Sequence, residues 1–483
     1  MKRWIERGLN IEPGDLRRAI PLCACLFLIM SCFITGRVAR DALFLAQFQA
    51  AQLPYADIAS AILVGIVVVG YVRLGRRTSL RNLLVGSQFF FATNCVLFWA
   101  LSHYYHPAWL YPAFYIWVGI FGVLAPTQVW TLANYLLTTR EAKRIFGMVG
   151  GGAILGAIFA GFFSKTIAKA FGTESLLLGM ALLLLICTAL MGTAWSSWKS
   201  RLAEHGETTG DKSTAQRDLQ SSMRLVFSSP YLRPIASVIC LAAFVTTLTG
   251  WQFKAVAKQF LVNKDALAIL FGNFYFYAGI LGLLIQLLLT SRLLRRFGIG
   301  TMLFVLPISV MLGSAGLLIW GTLLSAILLK GSDQVLRYSL DKSAVELLYL
   351  PLPHSLKLRA KWFIDTVIWR LGDGLAGVTV LIFATYLKVP ARQITWIALL
   401  LIGAWLVSVS VTGKQYIATL KESISQHRLN ADQVSAMALD RSTADFLSSK
   451  ILVSDPGEIL YALSLFEVER QRAVHPVIRG LLS

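Results

Sequence analysis

The sequence predicts an all-α, polytopic membrane protein: about twelve transmembrane helices in two six-helix bundles, with a short helical extension at the C-terminus. Three observations predict it. Apolar residues make up 56% of the 483-residue chain and charged residues 14%, with a mean hydropathy of +0.64, too little polar surface for a soluble protein of this length. Apolar windows of about 20 residues, enough to cross a ~30 Å hydrocarbon core, recur along most of it. Basic clusters follow alternate windows, as expected where Lys and Arg collect on the cytoplasmic side.

In the first half the windows fall near 19–39, 56–74, 83–102, 108–136, 147–169 and 175–197. In the second they fall near 232–254, 266–290, 299–320, 321–349, 362–387 and 393–412, with only a turn near Gly321 between the ninth and tenth. Arg73, Arg76, Arg77 and Arg81 follow the second window, Arg140, Lys143 and Arg144 the fourth, and Lys199 and Arg201 the sixth. Arg292, Arg295 and Arg296 follow the eighth, and Lys357, Arg359 and Lys361 the tenth. The connection at 102–111 is poor in charge. Both termini are therefore expected in the cytoplasm. The Arg-bearing N-terminus resembles a signal peptide only loosely. Its apolar run is long and has no clear small-x-small cleavage site, so it reads as a retained first span.

Residues 200–229, the longest internal polar stretch, hold Glu204, Glu207, Asp211 and Lys212 and divide the windows six and six. That division matches the major-facilitator architecture, two pseudo-symmetric bundles with the site between them. The expected units are 1–199, the connecting segment 200–229, 230–413, and a cytoplasmic tail 414–483. In the tail Asp455 and Pro456 suit a helix start. Ile459, Leu460, Leu463 and Phe466 form one apolar side, and Val477, Ile478, Leu481 and Leu482 another. The pair resembles one HEAT unit, which buries its face only by stacking on something else: the bundle, further repeats or a protein partner.

In a soluble protein the net charge of +20 would raise nucleic acid as a partner; here the inside loops account for it, and none is expected. The six cysteines lie in apolar segments without zinc or disulfide spacing and read as packing residues. The six histidines lack Cys or carboxylate companions, so no metal and no cofactor is expected. Gly150-Gly-Gly-Ala-Ile-Leu-Gly156 lacks the Lys-Ser/Thr ending of a nucleotide-binding loop. Gly147, Gly151, Gly152 and Gly156 instead form small-xxx-small faces for close helix approach. Nothing here points to an enzyme.

The charges inside the spans are more informative. Arg37, Arg40 and Asp41 end the first window on one helical face. Each arginine there costs several kcal/mol unless it meets a partner, a wet cavity or an interface. Lys254 lies in the seventh window, and Lys330, Asp333, Gln334, Arg337 and Asp341 form a stripe on the tenth. Asp333–Arg337 and Arg337–Asp341 are both i,i+4 pairs, serving substrate, a salt-bridge ladder or both. Lys361–Asp365 and Arg370–Asp373 make a comparable ladder on the eleventh. Trp251 lies three residues before Lys254; Phe274, Tyr275, Phe276 and Tyr277 follow Asn273; Trp130 is one turn from Asn134. Such aromatic faces beside cations suit a planar base, and aromatics are also routine at membrane interfaces. The excess of positive centres points to transport of an anion.

These residues resemble the nucleotide exchange transporters of plastids and obligate intracellular bacteria, the bacterial-type ADP,ATP carriers. The resemblance is carried by Arg37-Val-Ala-Arg-Asp41, Trp130-Thr-Leu-Ala-Asn134, Glu141-Ala-Lys-Arg-Ile-Phe-Gly147 and Phe271-Gly-Asn-Phe-Tyr-Phe-Tyr-Ala-Gly279. Most specific is the run Arg337-Tyr-Ser-Leu340, Glu346, Tyr349, Pro351, Leu352, Lys361, Asp365 and Arg370-Leu-Gly372. It covers roughly 19–413, and the tail resembles the HEAT-bearing members. The resemblance implies a twelve-span exchanger of ATP/ADP type, with Arg40 at the position of a functional lysine of the first span and Lys254 at that of a lysine of the seventh. It also marks departures: Val118 and Gly250 stand where glutamates are expected, Val345 where a lysine is, and Val38 where an aspartate is.

The candidate substrate contacts are thus Arg37, Arg40, Asp41, Asn134, Lys254, Asn273, Arg337, Asp365 and Arg370. The candidates for gating or salt bridges are Asp333, Asp341, Glu346, Lys361 and Asp373. Three functions compete. An open cavity with unpaired arginines favours a carrier of nucleotides or other anions. An apolar cavity favours a carrier of a lipid-related solute. A closed core with every charge paired favours a scaffold for the tail.

Overall fold

A computed structural model of the chain describes residues 15–75, 77–206 and 219–425. Helix is the regular structure throughout these residues. The first six long helices are Asp15–Gln47, Leu53–Gly75, Leu80–Tyr104, Leu110–Leu136, Thr139–Phe171 and Ser175–Gly206. A short helix, Leu219–Ser228, precedes the second set. The seventh to ninth are Leu232–Phe260, Lys264–Leu294 and Arg296–Trp320. The tenth runs from Leu323 to Leu348, the eleventh spans Leu356–Tyr386, and the twelfth is Ala391–Ser425.

Eleven of these are long and apolar enough to cross a membrane. The tenth is the exception. It carries Lys330, Asp333, Arg337, Asp341, Lys342 and Glu346, and packs among the others regardless. Ile62, Ile66 and Val69 on the second helix and Leu400 on the twelfth are more than half exposed. Apolar side chains turned outward on this scale fit a lipid surround.

Local signals set the ends. Thr138 accepts from the Glu141 amide while Glu141 accepts from the Thr138 amide, a capping box that opens the fifth helix. Gly321 takes φ +60 between the ninth and tenth helices, the turn expected there. The first helix continues to Gln47, past the expected end near residue 39, so Arg37 to Asp41 lie inside it. The sixth helix passes residue 200 and the twelfth passes 413, each without a break. The paired tail helices and their HEAT resemblance lie outside the described residues.

Glycine brings the helices together where the sequence expects. A Cβ on Gly152 would lie 2.5 Å from the Cys23 carbonyl oxygen, and one on Gly156 2.4 Å from that of Phe27, so the first and fifth helices meet backbone to backbone. Gly147 and Gly151 meet nothing within 4 Å and take no part. Across the bundle boundary, Gly161 and Gly272 do the same for the fifth and eighth helices.

Four π-helical turns, Gln286–Thr290, Arg337–Asp341, Ile364–Ile368 and Leu381–Tyr386, interrupt the second bundle. Each shifts the register of the side chains beyond it, and such turns are frequent at functional sites.

Candidate functional site

Between the bundles lies a cavity of about 600 Å³. The first and second helices line it on one side, the seventh, eighth, tenth and eleventh on the other. Arg37, Arg40, Lys254, Lys330 and Arg370 face Asp41, Asp57 and Asp373 in its wall, five cations against three carboxylates. Phe33, Trp251, Phe253, Phe271, Phe274, Tyr275 and Tyr338 supply aromatic surface.

Asp41 is the hub at one end. Its Oδ1 accepts from Arg40 Nε at 3.2 Å and from Lys254 Nζ at 3.1 Å. Arg40 also stacks on Tyr115, 4.2 Å from the ring centroid. The Tyr115 hydroxyl donates to Asp57 Oδ1 at 2.8 Å and accepts from Lys254 at 3.4 Å. Four helices of both bundles share this network, so its charges offset one another in a buried setting.

Arg37 differs. Among the described residues it has no carboxylate partner; its guanidinium lies between two rings, 5.3 Å from the centroid of Tyr275 and 5.8 Å from that of Phe33. A cation held by aromatic faces keeps its donors available for an incoming anion.

The cavity is closed at one end by links between the bundles. Trp251 Nε1 donates to the Ala50 carbonyl at 2.8 Å, and Thr385 Oγ1 to that of Ala51 at 2.6 Å. Asp265 Oδ1 accepts from the Thr173 amide and hydroxyl at 2.7 and 2.6 Å, and Lys264 pairs with Glu174.

Of the sequence candidates, Arg37, Arg40, Asp41, Lys254, Arg370 and Asp373 line the cavity. Arg337 does not, although it stands among the expected substrate contacts. It is 5% exposed and stands behind the wall, bonded to Asp333 Oδ1 through Nη2 at 2.5 Å and Nε at 3.0 Å. Lys330, from the same helix, reaches the cavity instead and bonds Asp333 Oδ2 at 2.7 Å. The second expected pair, Arg337–Asp341, does not form within 4 Å, because the π turn between them carries Asp341 out of i,i+4 register. Lys361 pairs with Glu346, at 2.5 and 2.7 Å, rather than with Asp365, which is exposed at the start of the next π turn. Arg370 and Asp373 approach only to 3.9 Å, with Arg370 68% exposed. Asn134 is exposed and Asn273 half-buried; neither lines the cavity.

Asp57 and Tyr115 escaped the sequence reading. Asp57 had a readable signal, a lone carboxylate at the start of a long apolar run. Tyr115 had none, since its role depends on helices distant in sequence. No group of three or more potential metal ligands occurs among the described residues.

Two bundles of six helices around a charged central cavity define a major-facilitator-like membrane transporter. The TLC ATP/ADP transporter family model matches residues 99–416, and the chain belongs to that family. It is 24% identical over 484 residues to ADP,ATP carrier protein 1 of Chlamydia pneumoniae, covering 85% of this chain and 94% of that one. It is 23% identical over 462 residues to the plastidic ATP/ADP-transporter of Solanum tuberosum, covering 82% and 73%. Among solved structures, its fold is similar to a bacterial homologue of the iron transporter ferroportin in an inward-facing state, with a TM-score of 0.57 at 14% identity over 84% of this chain and 100% of that one. It is also similar to the nucleoside transporter NupG, with a TM-score of 0.51 at 13% identity over 83% and 99%.

Proposed function

We propose that this chain exchanges nucleotides of the ATP/ADP type, by alternating access, across a bacterial inner membrane. The observation that carries the reading is the cavity, with its excess of cations and with Arg37 held against two rings without a carboxylate partner among the described residues. Phosphate suits the cations; a planar base suits the aromatic wall. The names of the relatives support the same substrate class. An apolar cavity would have favoured a lipid-related solute, and a fully paired core a scaffold.

With the basic loops in the cytoplasm, the closed end faces outward and the protein is caught inward-facing, with both termini inside. The Lys254–Asp41 pair then belongs to the outer gate. The tail from 414 onward is the expected docking place for a protein partner. Exchange proceeds without carboxylates at two expected places: Val118 is fully buried away from the cavity, and Gly250 has no side chain.

The test is counter-exchange. Purified full-length protein in vesicles loaded with ADP should take up labelled ATP, empty vesicles should not, and Arg37→Gln should abolish most uptake. Equal uptake into loaded and empty vesicles would refute exchange. Uptake undiminished in Arg37→Gln would refute the cavity as the site.

A further inference from the structure

Lys330 reaches the cavity from the tenth helix across a gap in the seventh, at Gly250. A Cβ built on Gly250 would lie 3.5 Å from Lys330 Nζ and 3.7 Å from its Cε, and both residues line the cavity. The ammonium has three donors. One goes to Asp333 Oδ2 at 2.7 Å and one to the Thr246 carbonyl at 3.3 Å, which leaves the third without a partner among the described residues.

Asp333 is already shared. Besides Lys330 it accepts from Arg337 Nη2 and Nε, and from the Thr246 hydroxyl at 2.9 Å. Two cations thus divide one carboxylate, and only one of them meets the cavity. The charge that Asp333 leaves uncancelled is presented through Lys330, whose side chain is 13% exposed. Any longer side chain at residue 250 would lie over that ammonium.

We propose that Gly250 is a specificity-determining residue. By carrying no side chain it opens Lys330 to the cavity as an anion subsite, which favours substrates bearing more phosphate charge. Attraction scales with the product of the charges, so one more accessible cation raises affinity for pyrophosphate more than for phosphate. The inference rests on the cavity being an anion site, and the experiment separates the two ideas.

Full-length protein in detergent is titrated calorimetrically with inorganic phosphate and with pyrophosphate. The natural protein should prefer pyrophosphate. Gly250→Gln should occupy the third donor without adding charge, and Lys330→Met removes it. Each should cut the preference roughly tenfold or more, the worth of a charged hydrogen bond. The double variant should be no worse than either single one, since both disable one ammonium. A preference unchanged in both single variants, or losses that add in the double, would overturn the proposal. A natural protein that binds neither anion would instead overturn the anion cavity itself. Should Gly250→Gln fail to fold, Lys330→Met carries the test, because Asp333 keeps Arg337.

Discussion

Lys254 Nζ donates to Asp41 Oδ1 at 3.1 Å, joining the seventh helix of one bundle to the first helix of the other. The same oxygen accepts from Arg40 Nε. Asp41 therefore holds two cations, whereas Lys254 is one of two donors to it.

That asymmetry makes a prediction. Removing one member of a buried ion pair costs about 3–5 kcal/mol when the other is left uncompensated. Asp41→Asn strands both Arg40 and Lys254; Lys254→Met leaves Asp41 its arginine. Thermal unfolding in detergent should show the larger fall in Tm for Asp41→Asn. The reverse order would mean that Arg40 does not compensate Asp41.

The two neighbouring arginines should separate in function. Arg37 has no carboxylate partner among the described residues and should act on substrate alone. Arg37→Gln is expected to weaken binding of ATP about ten- to a hundredfold, through loss of about 1.5–3 kcal/mol of charged hydrogen bonding, with little change in Tm. Arg40→Gln also releases Asp41 and Tyr115, so it should lower both affinity and Tm. Parallel binding and melting curves on the two variants decide this.

The hydrogen bond from Trp251 to the Ala50 carbonyl is one of the links between the bundles at the closed end. Trp251→Phe keeps the aromatic bulk and deletes the donor, a loss of about 0.5–1.5 kcal/mol. An Ala50→Cys reporter, buried at 8% exposure in the natural residue, should then react several-fold faster with a membrane-impermeant thiol reagent. An unchanged rate would place the seal elsewhere.

Helix packing gives a control pair. Gly156→Leu drives a side chain into the backbone of the first helix, where even a Cβ lies 2.4 Å from the Phe27 carbonyl oxygen, whereas Gly147→Ala enters open space. Overpacking of this kind costs about 1–3 kcal/mol or more. Melting should show a clear loss for the first and none for the second.

Much of this protein was legible in its residues. Most helix boundaries fall within about six positions of their windows, because hydrocarbon thickness sets span length, whereas the first, fifth, sixth and twelfth helices extend eight or more residues beyond theirs. The tenth helix illustrates the complement. Its charges keep it below the hydropathy that marks the other eleven, although its window at 321–349 reads as one of the twelve. Arg37, Arg40 and Lys254 stood out because an isolated charge in an apolar run is costly. Asp57 obeyed the same rule and was overlooked.

What the sequence by itself determined, then, is the number of spans, their division into two sets of six, and which spans carry charge. These follow from local composition and from the cost of placing charge near lipid. Only the tertiary structure decided which charges meet. Lys254 finds Asp41 from 213 residues away. Lys361 chooses Glu346 over Asp365, and Lys330 takes the place in the cavity wall expected of Arg337. Pairing depends on the rotation of one helix against another. The π turns at Arg337–Asp341 and Ile364–Ile368 reset that rotation mid-span, where three-and-four spacing ceases to say which side chains share a face.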